Sequence, residues 1–197
     1  MHIVGILLAA GRGVRFGGDK LAAPLPQASH GVAAGTPLGV AAALHLVAAS
    51  TDAVAVVRPG DRLTAALRGA GLRIVECANA DDGMGASLAC GVGATRGAGG
   101  WIIALADMPW IAPATIRAVA NAIRNGADIV APVHGGERGH PVGFAARHRD
   151  ALCALTGDAG ARSLLAAHAG AVTLLDVDDP GVVRDVDTRA ALAARDE

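Results

Sequence analysis

Between residues 8 and 20 the chain reads Leu8-Ala9-Ala10-Gly11-Arg12-Gly13-Val14-Arg15-Phe16-Gly17-Gly18-Asp19-Lys20. Glycines let a backbone turn tightly and aim its N–H groups at an anion, and Arg12, Arg15 and Lys20 add fixed positive charge. This is the chemistry of a polyphosphate cradle. Of the 17 basic residues 16 are arginine, and Lys20 is the single lysine. A compact ammonium fits where a planar guanidinium does not, so its place in this loop points to a site. Two familiar phosphate loops do not fit. Walker A needs Ser or Thr after its lysine, and Leu21 stands there. A dinucleotide fingerprint needs a third glycine where Phe16 stands and an acid ending the second strand, which runs instead into Arg58. A basic loop with a purely structural role is the alternative.

Carboxylates supply the other half of the chemistry. Asp107 follows the apolar run Trp101-Ile102-Ile103-Ala104-Leu105-Ala106 and precedes Met108-Pro109. A carboxylate at the C-terminal end of a parallel strand can hold Mg²⁺; it can equally open the turn before Pro109. In Asp185-Val186-Asp187-Thr188, extended alternation puts both aspartates on one face, where they attract a cation or cap the final helix through Asp187 or Thr188. A cationic glycine loop with two separate carboxylates is the kit for phosphoryl or nucleotidyl transfer. Ser87, in Gly85-Ala86-Ser87-Leu88-Ala89, lacks the closing glycine of a nucleophile elbow and reads as a helix-start hydroxyl that bonds backbone or ligand. His140, between Gly139 and Pro141, either lines a pocket or is structural. The stretch Gly157-Asp158-Ala159-Gly160-Ala161-Arg162 is a turn into a helix.

The elements that must position these groups alternate between apolar strands and alanine-rich helices, the α/β pattern. Strands are expected at 3–9, 53–57, 72–75 and 101–106. Helices are expected at 37–49, at 61–70 with Asp61 as cap, at 85–94, and at 113–125 closed by Gly126. Residues 24–36 read as irregular. Beyond residue 126 come strands at 128–132 and 141–144 around the turn 134–139. Short helices near 147–154 and 161–168, a strand at 172–176 and a terminal helix after Thr188 complete the chain. The expectation is one domain over 1–197, with a nucleotide-binding half at 1–126 and an acceptor-binding half at 127–197.

Composition narrows the function further. The chain has 197 residues, 52% of them hydrophobic, and a mean hydropathy of +0.42. No window offers about 18 consecutive strongly apolar residues, and the first residues lack a basic signal region, so a cytoplasmic protein without a membrane partner is expected. A net charge of −1 and 2% aromatic residues argue against a nucleic-acid partner. Cys77, Cys90 and Cys153 have no disulfide or zinc spacing and read as buried small hydrophobes.

Leu8-Ala9-Ala10-Gly11-x-Gly13-x-Arg15-Phe16-Gly17-x-x-Lys20 resembles the signature of the nucleotidyltransferases related to the molybdenum cofactor enzymes, the MobA-like NTP transferases. The likeness extends through Gly83-Met84-Gly85-Ala86-Ser87-Leu88, Asp107-Met108-Pro109, Gly139-His140-Pro141-Val142, Gly157-Asp158-x-Gly160-Ala161-Arg162 and Asp185-Val186-Asp187-Thr188. Ala10 and the paired aspartates resemble the cytidylyltransferase branch; the guanylyltransferase branch has a second glycine and asparagines there.

The resemblance implies a Rossmann-like three-layer sandwich of the nucleotide-diphospho-sugar-transferase type, with a mostly parallel sheet. It implies transfer of CMP from CTP to the phosphate of molybdenum-loaded molybdopterin, for delivery to a xanthine-dehydrogenase-family molybdoenzyme. Lys20, Arg15 and Asp107 would be catalytic. Leu8, Ala9, Ala10, Gly11, Gly13, Arg15, Lys20 and Ser87 would bind nucleotide, His140, Asp158 and Arg162 the acceptor, and Asp107 with Asp187 would hold Mg²⁺. GTP, another phosphorylated acceptor, or a non-catalytic carrier role are the alternatives. Three departures stand out: Phe16 for the usual Met, Thr36 where a lysine is common, and Ala89 for arginine.

Overall fold

The computed structural model describes residues 1–158 and 160–193; residue 159 of the Gly157–Arg162 turn and residues 194–197 lie outside it. A central sheet contains β1 (Ile3–Leu8), β2 (Ala53–Val57), β3 (Arg73–Glu76), β4 (Gly100–Leu105), β5 (Ile129–His134), β6 (Glu137–Arg138), β7 (Val142–Ala145) and β8 (Val172–Asp176). Their order is β3-β2-β1-β4-β7-β5-β6, with β8 beside β5. Strands β1 to β4 are parallel neighbours, β7 runs antiparallel between β4 and β5, and β8 is parallel to β5. One sheet therefore joins the two expected halves through the β4–β7 pairing.

Strand alternation builds the three layers. Ile3 and Leu7 of β1 enter one core with Ala53, Ala55 and Val57 of β2 and Ile102 and Ala104 of β4. Val4 and Ile6 enter the opposite core with Val54, Val56, Trp101 and Ile103. Helices α1 (Leu38–Ala49), α2 (Thr64–Gly69) and α4 (Pro113–Arg124) cover the first face. Helices α3 (Met84–Ala94), α5 (Arg149–Cys153) and α6 (Arg162–Ala167) cover the second. Strands buried on both faces read as continuous apolar runs, which is why β1, β2 and β4 were legible without a period-2 signal. Trp101 is fully buried, and its indole N–H donates to Thr95 Oγ1 at 2.9 Å. No helix of the described residues is long and apolar enough to cross a membrane.

Several expectations need adjustment. The 11–20 loop contains one 3-10 turn, at Val14–Phe16, and a second begins at Lys20 and runs to Ala22. Asp61 does not cap α2 directly: its carboxylate accepts from Leu63 N at 2.8 Å and its carbonyl from Thr64 N at 3.2 Å, so it shapes the preceding turn. The 134–139 turn carries the two-residue β6, too short to leave a periodic signal. Thr188, not Asp187, caps α7 (Arg189–Ala193), through Ala191 N at 3.1 Å. Of the cysteines only Cys77 is fully buried.

The buried carboxylate of Asp179 escaped sequence reading because its partners are remote. It accepts from Ala112 N at 2.9 Å, Thr115 Oγ1 at 2.6 Å and Gly181 N at 3.1 Å, fastening the Pro180–Val183 turn to the start of α4. Asp179→Ala would strand these donors, and a loss of about 2–4 kcal/mol in urea-unfolding stability is expected, with Asp179→Asn intermediate.

Candidate active site

The parallel strands end on one edge of the sheet, and the loops beyond them enclose a cavity of about 350 Å³. Leu8, Ala10, Gly11 and Gly13 line it from the loop after β1, Lys20 and Leu21 from the second turn, and Leu105 and Asp107 from the end of β4. Gly83, Met84 and Ser87 form the wall at the start of α3, and Asp158 lies beside them. Gly13 has φ +59°, the left-handed conformation glycine adopts freely, and a Cβ there would sit 3.0 Å from both the Gly18 carbonyl oxygen and Lys20 Cβ. Gly83 is held at φ +106° with space for no side chain: a Cβ would lie 2.4 Å from Gly157 C and 2.5 Å from Asp158 Oδ1. Gly85 N donates to Gly157 O at 2.8 Å. Two separate glycine motifs thus form one wall.

Three charged segments meet over this cavity. Lys20 Nζ donates to Asp107 Oδ2 at 2.7 Å and to Asp187 Oδ1 at 3.3 Å. Arg15 reaches the other oxygen of Asp187 at 2.5 Å. The Lys20 side chain is 12% exposed, against 24% for Asp107 and 34% for Asp187, so the ammonium sits deepest. Asp187 arrives because Val186 is fully buried with Phe16, Leu38 and Trp110, and Val186 N donates to the Asp107 carbonyl at 3.0 Å. An apolar residue between two aspartates is therefore the anchor that aims one of them at Lys20. Asp185, on the exposed side, is pushed above the ordinary carboxylate range by partial desolvation and by the negative charges of Asp187 and Asp107, with Lys20 opposing.

The third loop cation is also paired. Arg12 donates through Nε and Nη2 to Asp81 at 2.9 and 2.6 Å, and Arg58 donates to the same carboxylate. These hydrogen bonds hold Asp81 down at about 2. Arg58 and Asp81 carried no motif in the sequence. The only signal was that Arg58 follows an apolar strand.

Two carboxylates from remote segments converge on one ammonium, so a cation already occupies their shared space. Asp107 and Asp187 offer carboxylate oxygens, the donor type a hard divalent ion takes, and among the described residues no cluster of three or more His, Cys, Asp or Glu side chains is placed to hold a metal ion. The sequence-selected residues fall into groups. Leu8, Ala10, Gly11, Gly13, Lys20, Ser87, Asp107 and Asp158 share the cavity. Arg15 and Asp187 are not among its lining residues and connect to it through Lys20, and Ala9 is buried in the sheet core, its N–H donating to Val56 O at 2.9 Å. Asp158 thus lies on the Ser87 side, in the cavity rather than apart with His140. His140 follows β6, its peptide bond to Pro141 is cis, and its buried Nδ1 has no hydrogen-bond partner among the described residues. Desolvation holds its imidazole below the usual range, so the ring is neutral at pH 7. Arg162 is exposed at the start of α6. Thr36 is not among the residues that line the cavity; its carbonyl accepts from Leu25 N at 2.8 Å.

The family model for the MobA-like NTP transferase domain matches residues 5–172. The purine catabolism protein PucB of Bacillus subtilis is 29% identical over 95% of this chain and 92% of its own length. The nicotine blue oxidoreductase of Paenarthrobacter nicotinovorans is 32% identical over 94% and 92%. Among solved structures, Rv0371c of Mycobacterium tuberculosis superposes with a TM-score of 0.75 at 27% identity, covering 98% of each chain. A manganese complex of that protein aligns at 25% identity and TM-score 0.72 over 97% of this chain and 96% of its own. The fold is the nucleotide-diphospho-sugar-transferase type expected from the sequence.

The two carboxylates with displaced proton affinities set opposite pH dependences. Asp185, raised, carries a penalty that accrues as pH climbs from the ordinary carboxylate value through its folded one. Asp185→Asn in metal-free buffer is therefore expected to be more stable at pH 7, with the advantage vanishing at low pH. Asp81, lowered, contributes stability that is complete above the ordinary value and lost as pH falls towards about 2. Carboxyl-detected NMR titration should find the two on opposite sides of the usual range, and Lys20→Met should raise Asp185 further.

Proposed function

The chain belongs to the MobA-like NTP transferase family, and on that premise we propose that it transfers CMP from CTP to the phosphate of molybdenum-loaded molybdopterin. The products are the cytosine dinucleotide of molybdopterin and pyrophosphate. The observation that carries this reading is the Lys20 ammonium between Asp107 and Asp187 beside the Gly11–Gly13 loop. A site that chooses among charged phosphates needs fixed donors and a compact cation at the reacting phosphorus.

An oxygen of the acceptor phosphate attacks the α-phosphorus of CTP in line, a new P–O bond forms, and the bond to the β-phosphate oxygen breaks. The attacking oxygen is anionic at neutral pH, so no general base is needed, and the work is positioning and charge neutralisation. The amides of Gly11 and Gly13, with Arg15, hold the β- and γ-phosphates, and Lys20 stabilises charge at the α-phosphate. Asp107 and Asp187 would hold Mg²⁺, which when bound supplies further neutralisation of the phosphate oxygens. Ser87, 5% exposed and facing the cavity, contacts ribose or base. Asp158 stands on the Ser87 wall beside Gly83, and neutral His140 and Arg162 receive the pterin phosphate. A cytoplasmic protein that passes its product to a xanthine-dehydrogenase-family enzyme completes this reading.

A second reading has one specific support, the relative named an oxidoreductase. Pyrophosphate release with each NTP, with and without molybdenum-loaded molybdopterin, tests the first; NADH or NADPH oxidation tests the second. CTP is expected over GTP by at least about tenfold, equivalent to about 1.4 kcal/mol, because the Ala10 methyl narrows the space a purine needs. Equal turnover removes the cytidylyl assignment. Lys20→Ala should cut turnover by about two to three orders of magnitude with the fold retained by circular dichroism, as for a lost oxyanion donor. Asp107→Asn and Asp187→Asn should each abolish metal-dependent turnover, and should weaken Mn²⁺ binding measured by electron paramagnetic resonance.

A further inference from the structure

We propose that Cys77 and Cys90 form an oxidisable dithiol, whose disulfide is a reversible modification that ties the end of β3 to α3 behind the cavity wall. Cys77 directly follows β3, and its N–H donates to the Val57 carbonyl at 2.9 Å. Cys90 lies near the middle of α3. Their thiols meet at the seam between strand and helix. The Cys77 Sγ–H donates to Asn79 Oδ1 at 3.3 Å and to the Ala86 carbonyl at 3.7 Å, one helical turn before Cys90. The Cys90 Sγ–H donates to the Glu76 carbonyl at 3.8 Å, one residue before Cys77. Each thiol therefore reaches the backbone beside the other, and both pack in the same apolar core.

Unequal exposure gives the two sulfurs different roles. Cys77 is fully buried and Cys90 is partly exposed, so an oxidant meets Cys90 first and Cys77 resolves the product. Burial and the adjacent Cys77 thiol push the Cys90 thiol up to about 11. The thiolate is the nucleophile, so at pH 7 only about one Cys90 in ten thousand is reactive at any moment. The pair responds to sustained oxidation and not to brief exposure. Its location gives the bond a consequence. Ala80, Asp81, Gly83, Met84 and Ser87, which line the cavity, all lie between the two cysteines in the chain. The disulfide closes that segment into a covalent loop and restricts the wall that faces a ligand.

The step balances with a low-molecular-weight disulfide as oxidant. The Cys90 thiolate attacks one sulfur of oxidised glutathione, and the departing glutathione takes up the proton that Cys90 lost. Cys77 then gives up its proton and attacks Cys90 Sγ in the mixed disulfide, and the second glutathione leaves as the thiol. Two protein thiols are oxidised and one disulfide is reduced.

The folded chain is incubated with oxidised glutathione between about pH 7 and about pH 9, where the rate should rise about tenfold per pH unit. Intact mass should fall by two hydrogens, and peptide mapping should join residue 77 to residue 90. The oxidised chain should melt about 5 °C higher, because the bond constrains the unfolded state. Amide hydrogen exchange over residues 80–87 should slow, and dithiothreitol should reverse both changes. Cys77→Ser should stop at a glutathione adduct on Cys90, with Cys77→Ala in its place if the serine variant does not fold. Cys90→Ser should form no bond, and Cys153→Ser should form it at the natural rate. A bond that runs through Cys153, one that forms only after unfolding in urea, or glutathione adducts that never resolve onto Cys77 would each overturn the proposal. None of these readouts depends on which nucleotide the cavity takes, so failure of the cytidylyl reading leaves the dithiol standing.

Discussion

The arrangement depends on the Lys20 ammonium held between Asp107 and Asp187. Its three members come from the loop after β1, the end of β4 and the C-terminal segment. The Val186–Asp107 backbone bond and the burial of Val186 beside Phe16 bring that segment back across the sheet edge. The Arg189 guanidinium lies 5.0 Å from the centroid of the Phe16 ring, which adds a second tie between α7 and the same loop. The ion contacts therefore rest on apolar packing: Val186 in its pocket, with the backbone bond beside it, aims Asp187 at Lys20.

The site balances its own charge. Each cation of the glycine-rich loop faces a carboxylate: Arg12 with Asp81, Arg15 with Asp187, and Lys20 with Asp107 and Asp187. Partly buried charges are tolerable only when paired, and Lys20 meets that condition with Asp107 and Asp187 as its counter-ions. A ligand rich in phosphate oxygens, arriving with a cation for the carboxylates, can replace those contacts with equivalent ones. The same pairs that keep the free protein stable thus keep the donors oriented along one wall. Asp185 shows the limit of this balance: partial desolvation, and then the negative charges of Asp187 and Asp107, raise its proton affinity against the opposing pull of Lys20.

Relatives with names as different as a purine catabolism protein and a nicotine blue oxidoreductase share nearly the full length of this chain. The scaffold accommodates this because chemistry lives in loops at one edge of a sheet that carries helices on both faces. Residues such as Arg58 and Asp81 can change there without disturbing the layers, since their side chains belong to the cavity wall and not to either core.

The strands buried on both faces were legible from their unbroken apolar runs, and helices from alanine content bounded by Pro37, Pro113 and Gly126. The glycine loop, Asp107 and Asp187, which the fold brings together, stood out by residue type: glycines, cations and carboxylates in the pattern expected of phosphate chemistry. Other features were not. The two-residue β6 carries too few positions for a pattern, and the antiparallel insertion of β7 between β4 and β5 is a pairing choice that no local signal encodes. Asp179 looks like any loop aspartate until Ala112 and Thr115 are seen beside it. Local sequence determined which elements form and which side chains carry charge, because periodicity, turn geometry and side-chain chemistry act over a few residues. Only the tertiary structure decided that Lys20 would face both carboxylates, that Asp158 would stand beside Gly83, and that Arg12 and Arg58 would share Asp81. Those meetings are set by packing and strand order across spans of 23 to 167 residues.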